Sequence, residues 1–151
     1  MTVRFGILGA AGITPSALIA PAHASPDVRL TAVAARDRAR AESFAAEHGI
    51  GQVLGSYDEL LASPDVDAVY IPLPNSAHAE WTVRAARAGK HVLVEKPYAS
   101  NAEEARRVVD AIAGLPVVVM EAFHYRYHPL IHRAEELLAS GVIGHVTSAS
   151  A

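Results

Sequence analysis

The sequence predicts an α/β protein, a doubly wound parallel sheet with helices on both faces, on three observations. Short apolar runs rich in β-branched residues alternate with helix-length amphipathic segments. The runs are almost continuously apolar, the pattern of strands covered on both faces. The first of them ends in a glycine-rich turn that leads directly into a proline-started helix.

Val3 to Leu8 (VRFGIL) is the first expected strand, followed by Gly9-Ala10-Ala11-Gly12-Ile13-Thr14-Pro15. Thr14 is the expected cap and Pro15 the first helical residue, with helix from Ser16 to Ala22. Such a turn leaves free N–H groups and the positive end of a helix dipole where a pyrophosphate can sit. Aligned with Gly-x-Gly-x-x-Gly from Gly9, the second and third glycine places hold Ala11 and Thr14. Glycine-rich strand-to-helix turns also occur without any nucleotide.

Val28 to Ala35 (VRLTAVAA) is the second expected strand, and its end carries the cofactor information. An acid there holds the ribose 2′-hydroxyl of NAD, whereas the small Ala35 followed by Arg36 suits a 2′-phosphate and therefore NADP. Asp37 keeps NAD open if the strand runs one residue further, and the plainer reading of Arg36 is a solvated surface charge. Arg38 to His48 is an amphipathic helix stopped by Gly49, with Arg40 on the side nearest Arg36. Ser56-Tyr57-Asp58-Glu59 caps a short helix through Leu61.

Asp67 to Leu73 (DAVYIPL) is the next strand, ending in a stiff turn, Pro72 to His78, before a helix from Ala79 to Ala88. Pro74, Asn75 and His78 are expected at the same sheet edge as Gly9 and Arg36; the plainer reading of His78 is a cap or a satisfied surface histidine. His91 to Val94 is a strand that delivers Glu95-Lys96-Pro97 to its end. A lysine at a strand end in an open α/β sheet can polarise or protonate a substrate oxygen, and can equally close a surface salt bridge. A helix from Asn101 to Ala113 and a strand from Pro116 to Met120 follow.

The chain then reads Glu121-Ala122-Phe123-His124-Tyr125-Arg126-Tyr127-His128-Pro129, with a helix from Leu130 to Leu138. His124, His128 and His132 recur at intervals of four, but Pro129 separates them and no acid or cysteine completes a ligand set, so no metal site is expected. Val142 to Ala151 (VIGHVTSASA) reads as one further strand after a turn at Gly141.

Composition narrows the classes of partner. The 151 residues carry a net charge of −3 and 51% apolar residues. They offer no basic field for nucleic acid and no polybasic patch for a membrane surface. No apolar stretch reaches the roughly 20 residues that cross a bilayer, and the absence of cysteine excludes disulfides and thiolate metal sites. The expected location is the cytoplasm.

The run of motifs FGILGAAGI, VAARDRARA, PDVDAVYI, PLPNSAH, AGKHVLVEKP, MEAFHYRYHP and SGVIGHV resembles the glucose-fructose oxidoreductase, inositol dehydrogenase and rhizopine-catabolism (Gfo/Idh/MocA) family of NAD(P)-dependent sugar and polyol oxidoreductases. AGKHVLVEKP is the most specific of them. The resemblance implies a Rossmann-like cofactor domain over 1–141, with 142–151 the first strand of a C-terminal substrate and dimerisation domain. It implies pyrophosphate contacts at Gly9, Ala10, Ala11, Gly12 and Ile13, and 2′-phosphate contacts at Arg36 and Arg40. Leu73, Pro74, Asn75 and His78 fall on the ribose and nicotinamide side, with Glu95 and Ala122 bordering the nicotinamide. Lys96 is implied to touch the reacting oxygen and Arg126 to lie on the substrate side. NADP is the expected cofactor with NAD the alternative, the substrate is a small sugar, polyol or cyclic diol, and the full-length protein is expected to be a homo-oligomer. Within the same family, an NAD-dependent glycosidase and a non-catalytic nucleotide-binding module are the other readings.

Overall fold

The computed structural model describes residues 2–150. Six strands, β1 (Val3–Leu8), β2 (Val28–Ala34), β3 (Gln52–Leu54), β4 (Ala68–Ile71), β5 (His91–Val94) and β6 (Val119–Glu121), form one parallel sheet in the order β3-β2-β1-β4-β5-β6. The order reverses between β1 and β4, so a crevice opens outside the carboxyl ends of these two strands. The helices are α1 (Ala20–His23), α2 (Arg38–His48), α3 (Tyr57–Ala62), α4 (Asn75–Arg87), α5 (Ala102–Ile112) and α6 (Pro129–Ala139).

Strand pleating divides the core into two layers. Leu8, Ala32, Ala34, Val69, Ile71, Val92 and Val94 pack with Leu60, Leu61 and Ala85 on one face. Their sequence neighbours Ile7, Val33 and Tyr70 pack with Leu18, Ala45 and Ile50 on the other. Gly6 makes the first layer possible: a Cβ there would lie 2.6 Å from Leu60 Cδ2.

Several local expectations are corrected. Gln52–Leu54, too short and polar to stand out in the sequence, is an edge strand paired to β2. The helix after the glycine turn opens with a wide π-type turn, Pro15–Ile19, before α1. Thr14 does not cap it; its backbone is already helical and its buried hydroxyl has no partner among the described residues. β2 stops at Ala34, one residue earlier than expected. α4 begins at Asn75, four residues early, because Pro74 sets the entry to the helix and the polar Asn75–His78 run forms its first turn.

The strand expected from Val142 is not formed over 142–150, where the residues are exposed and no sheet edge pairs with them. A strand holds only through a neighbour's N–H and C=O groups, and neither β3 nor β6 supplies them to this segment. Ala151 lies outside the described residues.

Candidate functional site

The crevice at the β1/β4 switch point is a cleft of about 600 Å³ lined by Gly9 to Gly12, Ala35 to Asp37, Arg40, Tyr57, Pro72 to Pro74, Ser76, Ala77 and Trp81. Its floor is the turn after β1. Gly9 has φ 106° and donates its N–H to the Ala34 carbonyl at 2.7 Å. A Cβ on Gly9 would stand 3.0 Å from Leu73 Cδ2, so the turn and the loop after β4 meet here at glycine distance. At Ala11 the methyl group that replaces the fingerprint glycine is half-exposed and leaves the cleft open.

The Arg36 side chain is exposed at the cleft and has no ion-pair partner among the described residues. Asp37, the acid that kept NAD open, is the N-cap of α2: its carboxylate accepts from the Arg40 N–H at 3.2 Å. Arg40 reaches back across the cleft floor and donates to the Ala10 carbonyl at 2.7 Å, bracing the turn as well as lending charge. Tyr57 stands over Gly9, with burial raising its phenol above the ordinary range and Arg36 opposing that rise.

A second cavity of about 310 Å³ shares Pro72 and Leu73 with the cleft and is lined further by Ile13, His78, Glu95, Lys96 and His124. Lys96 is exposed on it, whereas Glu95 is buried at the end of β5. The Glu95 carboxylate accepts from the Tyr70 hydroxyl at 2.6 Å and from the Lys96 N–H at 3.2 Å. Burial first, and the Glu95 carboxylate second, push the Tyr70 phenol far above its ordinary range, so Tyr70 stays a proton donor.

Of the other expected site residues, His78 lines the second cavity, and Asn75, Ala122 and Arg126 line neither. His78 is 1% exposed and both its ring nitrogens face carbonyls, Nδ1 on Pro97 O and Nε2 on Leu73 O, each at 2.7 Å. It lines the second cavity with both ring nitrogens engaged by the two loops. Asn75 lines neither cavity; its carbonyl accepts from the Ser100 hydroxyl at 3.5 Å. Ala122 continues the β5–β6 ladder by donating to Val94 O at 2.8 Å and also lines neither cavity. Arg126 lies over the Tyr127 ring, 5.9 Å from its centroid, outside both. The short 3₁₀ turn His124–Tyr127 brings His124, and not Arg126, to the cavity that Lys96 lines.

Tyr57 and Trp81, outside the expected site residues, meet edge to face at 4.8 Å on the cleft wall. Trp81 is the sole tryptophan of the chain and sits one turn past His78 on α4, a spacing that was there to be used. His128, one of the three spaced histidines, caps α6 through Nδ1, which accepts from the Leu130 N–H at 3.1 Å. No helix among the described residues is long and apolar enough to cross a membrane.

Known proteins share this sequence and architecture. The chain is 50% identical over 148 residues to a D-xylose 1-dehydrogenase (NADP(+)) from Haloferax volcanii, covering 97% of this chain and 45% of that protein. It is 39% identical to a dTDP-3,4-didehydro-2,6-dideoxy-alpha-D-glucose 3-reductase from Actinomadura kijaniata, over 99% of this chain and 45% of the relative. A 3-ketoreductase from the same organism, solved with NADP and TDP-benzene, superposes with a TM-score of 0.84 at 38% identity, covering 94% of this chain and 43% of that structure. The chain thus spans about half the length of the curated relatives it matches. The model of the oxidoreductase family with an NAD-binding Rossmann fold matches residues 3–123, and this chain belongs to that family, Gfo/Idh/MocA.

Proposed function

We propose that the chain is the NADP-binding part of an oxidoreductase that moves a hydride between the nicotinamide and a secondary alcohol or ketone of a sugar-like substrate. The observation that carries this reading is the adjacency of the two cavities: the Gly9–Gly12 turn and Lys96 line neighbouring spaces that share Pro72 and Leu73. Oxidising an alcohol removes a hydride from carbon and a proton from oxygen, and the nicotinamide, when bound, takes the hydride. The work of this chain's residues is to hold and to polarise. Backbone N–H groups of Ala10 to Gly12, past the Gly9 N–H that is tied to Ala34, receive the pyrophosphate, and the Tyr57 and Trp81 rings wall the cleft beside it. Lys96 Nζ donates to the reacting oxygen and stabilises the negative charge that grows on it. The uncompensated Arg36 and the engagement of Asp37 in capping favour NADP over NAD. The xylose dehydrogenase and ketoreductase relatives support a sugar as substrate class. Residues 142–151 are assigned to the first strand of a substrate and dimerisation domain, whose sheet would supply the partner that segment lacks.

Fluorescence titration of this chain with NADPH, and with NADH in parallel, tests the reading. Tighter binding of NADPH is expected. Failure to bind either cofactor rejects the assignment, and a preference for NADH rejects the role given to Arg36.

A further inference from the structure

The backbone that carries Lys96 belongs to no strand or helix. From Lys96 to Ser100, between β5 and α5, no N–H or C=O bonds to another backbone group among the described residues. Backbone groups that leave a sheet still need partners, and here side chains supply them. The Lys96 N–H donates to Glu95 at 3.2 Å and the Ser100 N–H to Glu104 at 2.7 Å, both close along the chain. Two contacts come from farther away. His78 of α4 lies 2.7 Å from the Pro97 carbonyl, and Glu121 Oε1 accepts from the Tyr98 N–H at 2.7 Å.

We propose that Glu121 is a positioning residue for Lys96: from the end of β6 its carboxylate holds the loop after β5 through the Tyr98 amide, and so fixes where Lys96 meets the second cavity. Glu121 follows the apolar Val119 and Met120 and stands opposite Val94 in the β5–β6 ladder. It is half-buried, makes no ion pair among the described residues, and its side chain has the Tyr98 amide as its one hydrogen-bond partner there. A carboxylate taken partly out of water costs free energy that an apolar residue continuing the strand would not. The return is a clamp. Val94 and Tyr98 lie two residues on either side of Lys96, and consecutive residues of β6 hold them: Ala122 donates to the Val94 carbonyl at 2.8 Å, and Glu121 accepts from Tyr98. Glu121 itself lines neither cavity, so it acts through the loop and not on the reacting atoms. The clamp stands apart from the proposed reaction; the use made of Lys96 rests on that reading.

Exchange and relaxation NMR on the 151-residue chain test the clamp without any cofactor. In the unmodified chain the Tyr98 amide is expected to exchange at least about tenfold more slowly than that of Ala99, which has no acceptor among the described residues. The backbone order parameter of Lys96 is expected near the rigid value of about 0.85, and to drop toward about 0.6 in Glu121→Ala. Glu121→Gln, which keeps an acceptor oxygen at the same reach, is expected to restore both readings. Lys90 and Lys96 are the only lysines, so a chain labelled with ¹³C-lysine gives two side-chain signals, assigned by Lys96→Arg. Lys90, which donates to the Ser63 and Val66 carbonyls at 2.7 Å, is the internal reference. On saturation with NADPH the Lys96 signal is expected to move in the unmodified chain and in Glu121→Gln, and to move less than half as far in Glu121→Ala. Tyr98 and Ala99 amides that exchange alike overturn the clamp, and this is readable on the unmodified chain even if Glu121→Ala does not fold. A Lys96 order parameter or NADPH-induced shift that is the same in Glu121→Ala overturns the positioning. A chain that holds Lys96 through Glu121 but binds no NADPH rejects the proposed function and leaves this inference standing.

Discussion

The Tyr70 hydroxyl donates to Glu95 Oε1 at 2.6 Å across the central strands β4 and β5, and both side chains are buried. Glu95 has one other donor, the Lys96 N–H. Removing the phenol leaves a buried carboxylate short of a partner, at a cost of about 1–3 kcal/mol. Tyr70→Phe is expected to lower the urea midpoint accordingly. Adding Glu95→Gln to it should recover part of the loss, because the amide buries no charge. A double mutant whose loss equals the sum of the two single losses would show that the pair does not act as a unit.

In the proposed reading, Arg36 on the cleft sets the preference for NADP. Arg36→Ala is expected to weaken NADPH binding by about 1.5–3 kcal/mol, roughly tenfold or more, and to leave NADH within a factor of about two. The NADPH affinity of the unmodified chain should also fall more steeply with added salt than that of the variant. Parallel fluorescence titrations at two ionic strengths check both. Equal losses for the two cofactors would move Arg36 away from the 2′-phosphate.

Gly9 and Gly12 should separate. At Gly9 a side chain meets both an unfavourable φ and Leu73 Cδ2, so Gly9→Ala is expected to cost at least about 1–2 kcal/mol of stability and to close the cleft floor. At Gly12 a Cβ has nothing within 4 Å, and Gly12→Ala is expected to stay within about 0.5 kcal/mol. Urea denaturation of both variants, with the same result for each, would contradict the turn geometry.

Asp67 responds to acid at the opposite edge of the sheet. Hydrogen bonds from the Arg4 side chain and backbone hold its carboxyl down at about 2, and the pair meets at 2.7 Å. The folded state therefore prefers the ionised form. The contribution is fully present above the ordinary carboxylate value near 3.8 and is lost as pH falls through about 2. Asp67→Asn should be less stable than the unmodified chain by a constant amount above pH 5, and the two denaturation midpoints should converge between pH 4 and 2. A gap that persists at pH 2 would place the effect elsewhere.

The strands that carry the site were readable because a covered strand needs an apolar run, and Val3–Leu8, His91–Val94 and the end of β2 all have one. The Gly9 turn and Arg36 followed from their places at strand ends. What stayed hidden was set by contacts across the sequence. Asn75–His78 reads as a polar turn until Pro74 and the two carbonyls at His78 fix it as a helix start. Arg126 and His124 differ by two positions, and one 3₁₀ turn decides which lines the cavity beside Lys96. Tyr57 reaches Trp81 across 24 residues, a meeting no local pattern announces.

The strand order also dictates when the site can exist. β1 is the first strand made, yet one of its two neighbours, β4, begins at Ala68, and β5, which brings Lys96, comes later still. A parallel pair cannot form as a hairpin and must wait for its crossover. The glycine turn is therefore synthesised long before Leu73 arrives to close over it. A nucleotide that needs both walls can favour only the finished sheet, acting late, by mass action on the last step of folding.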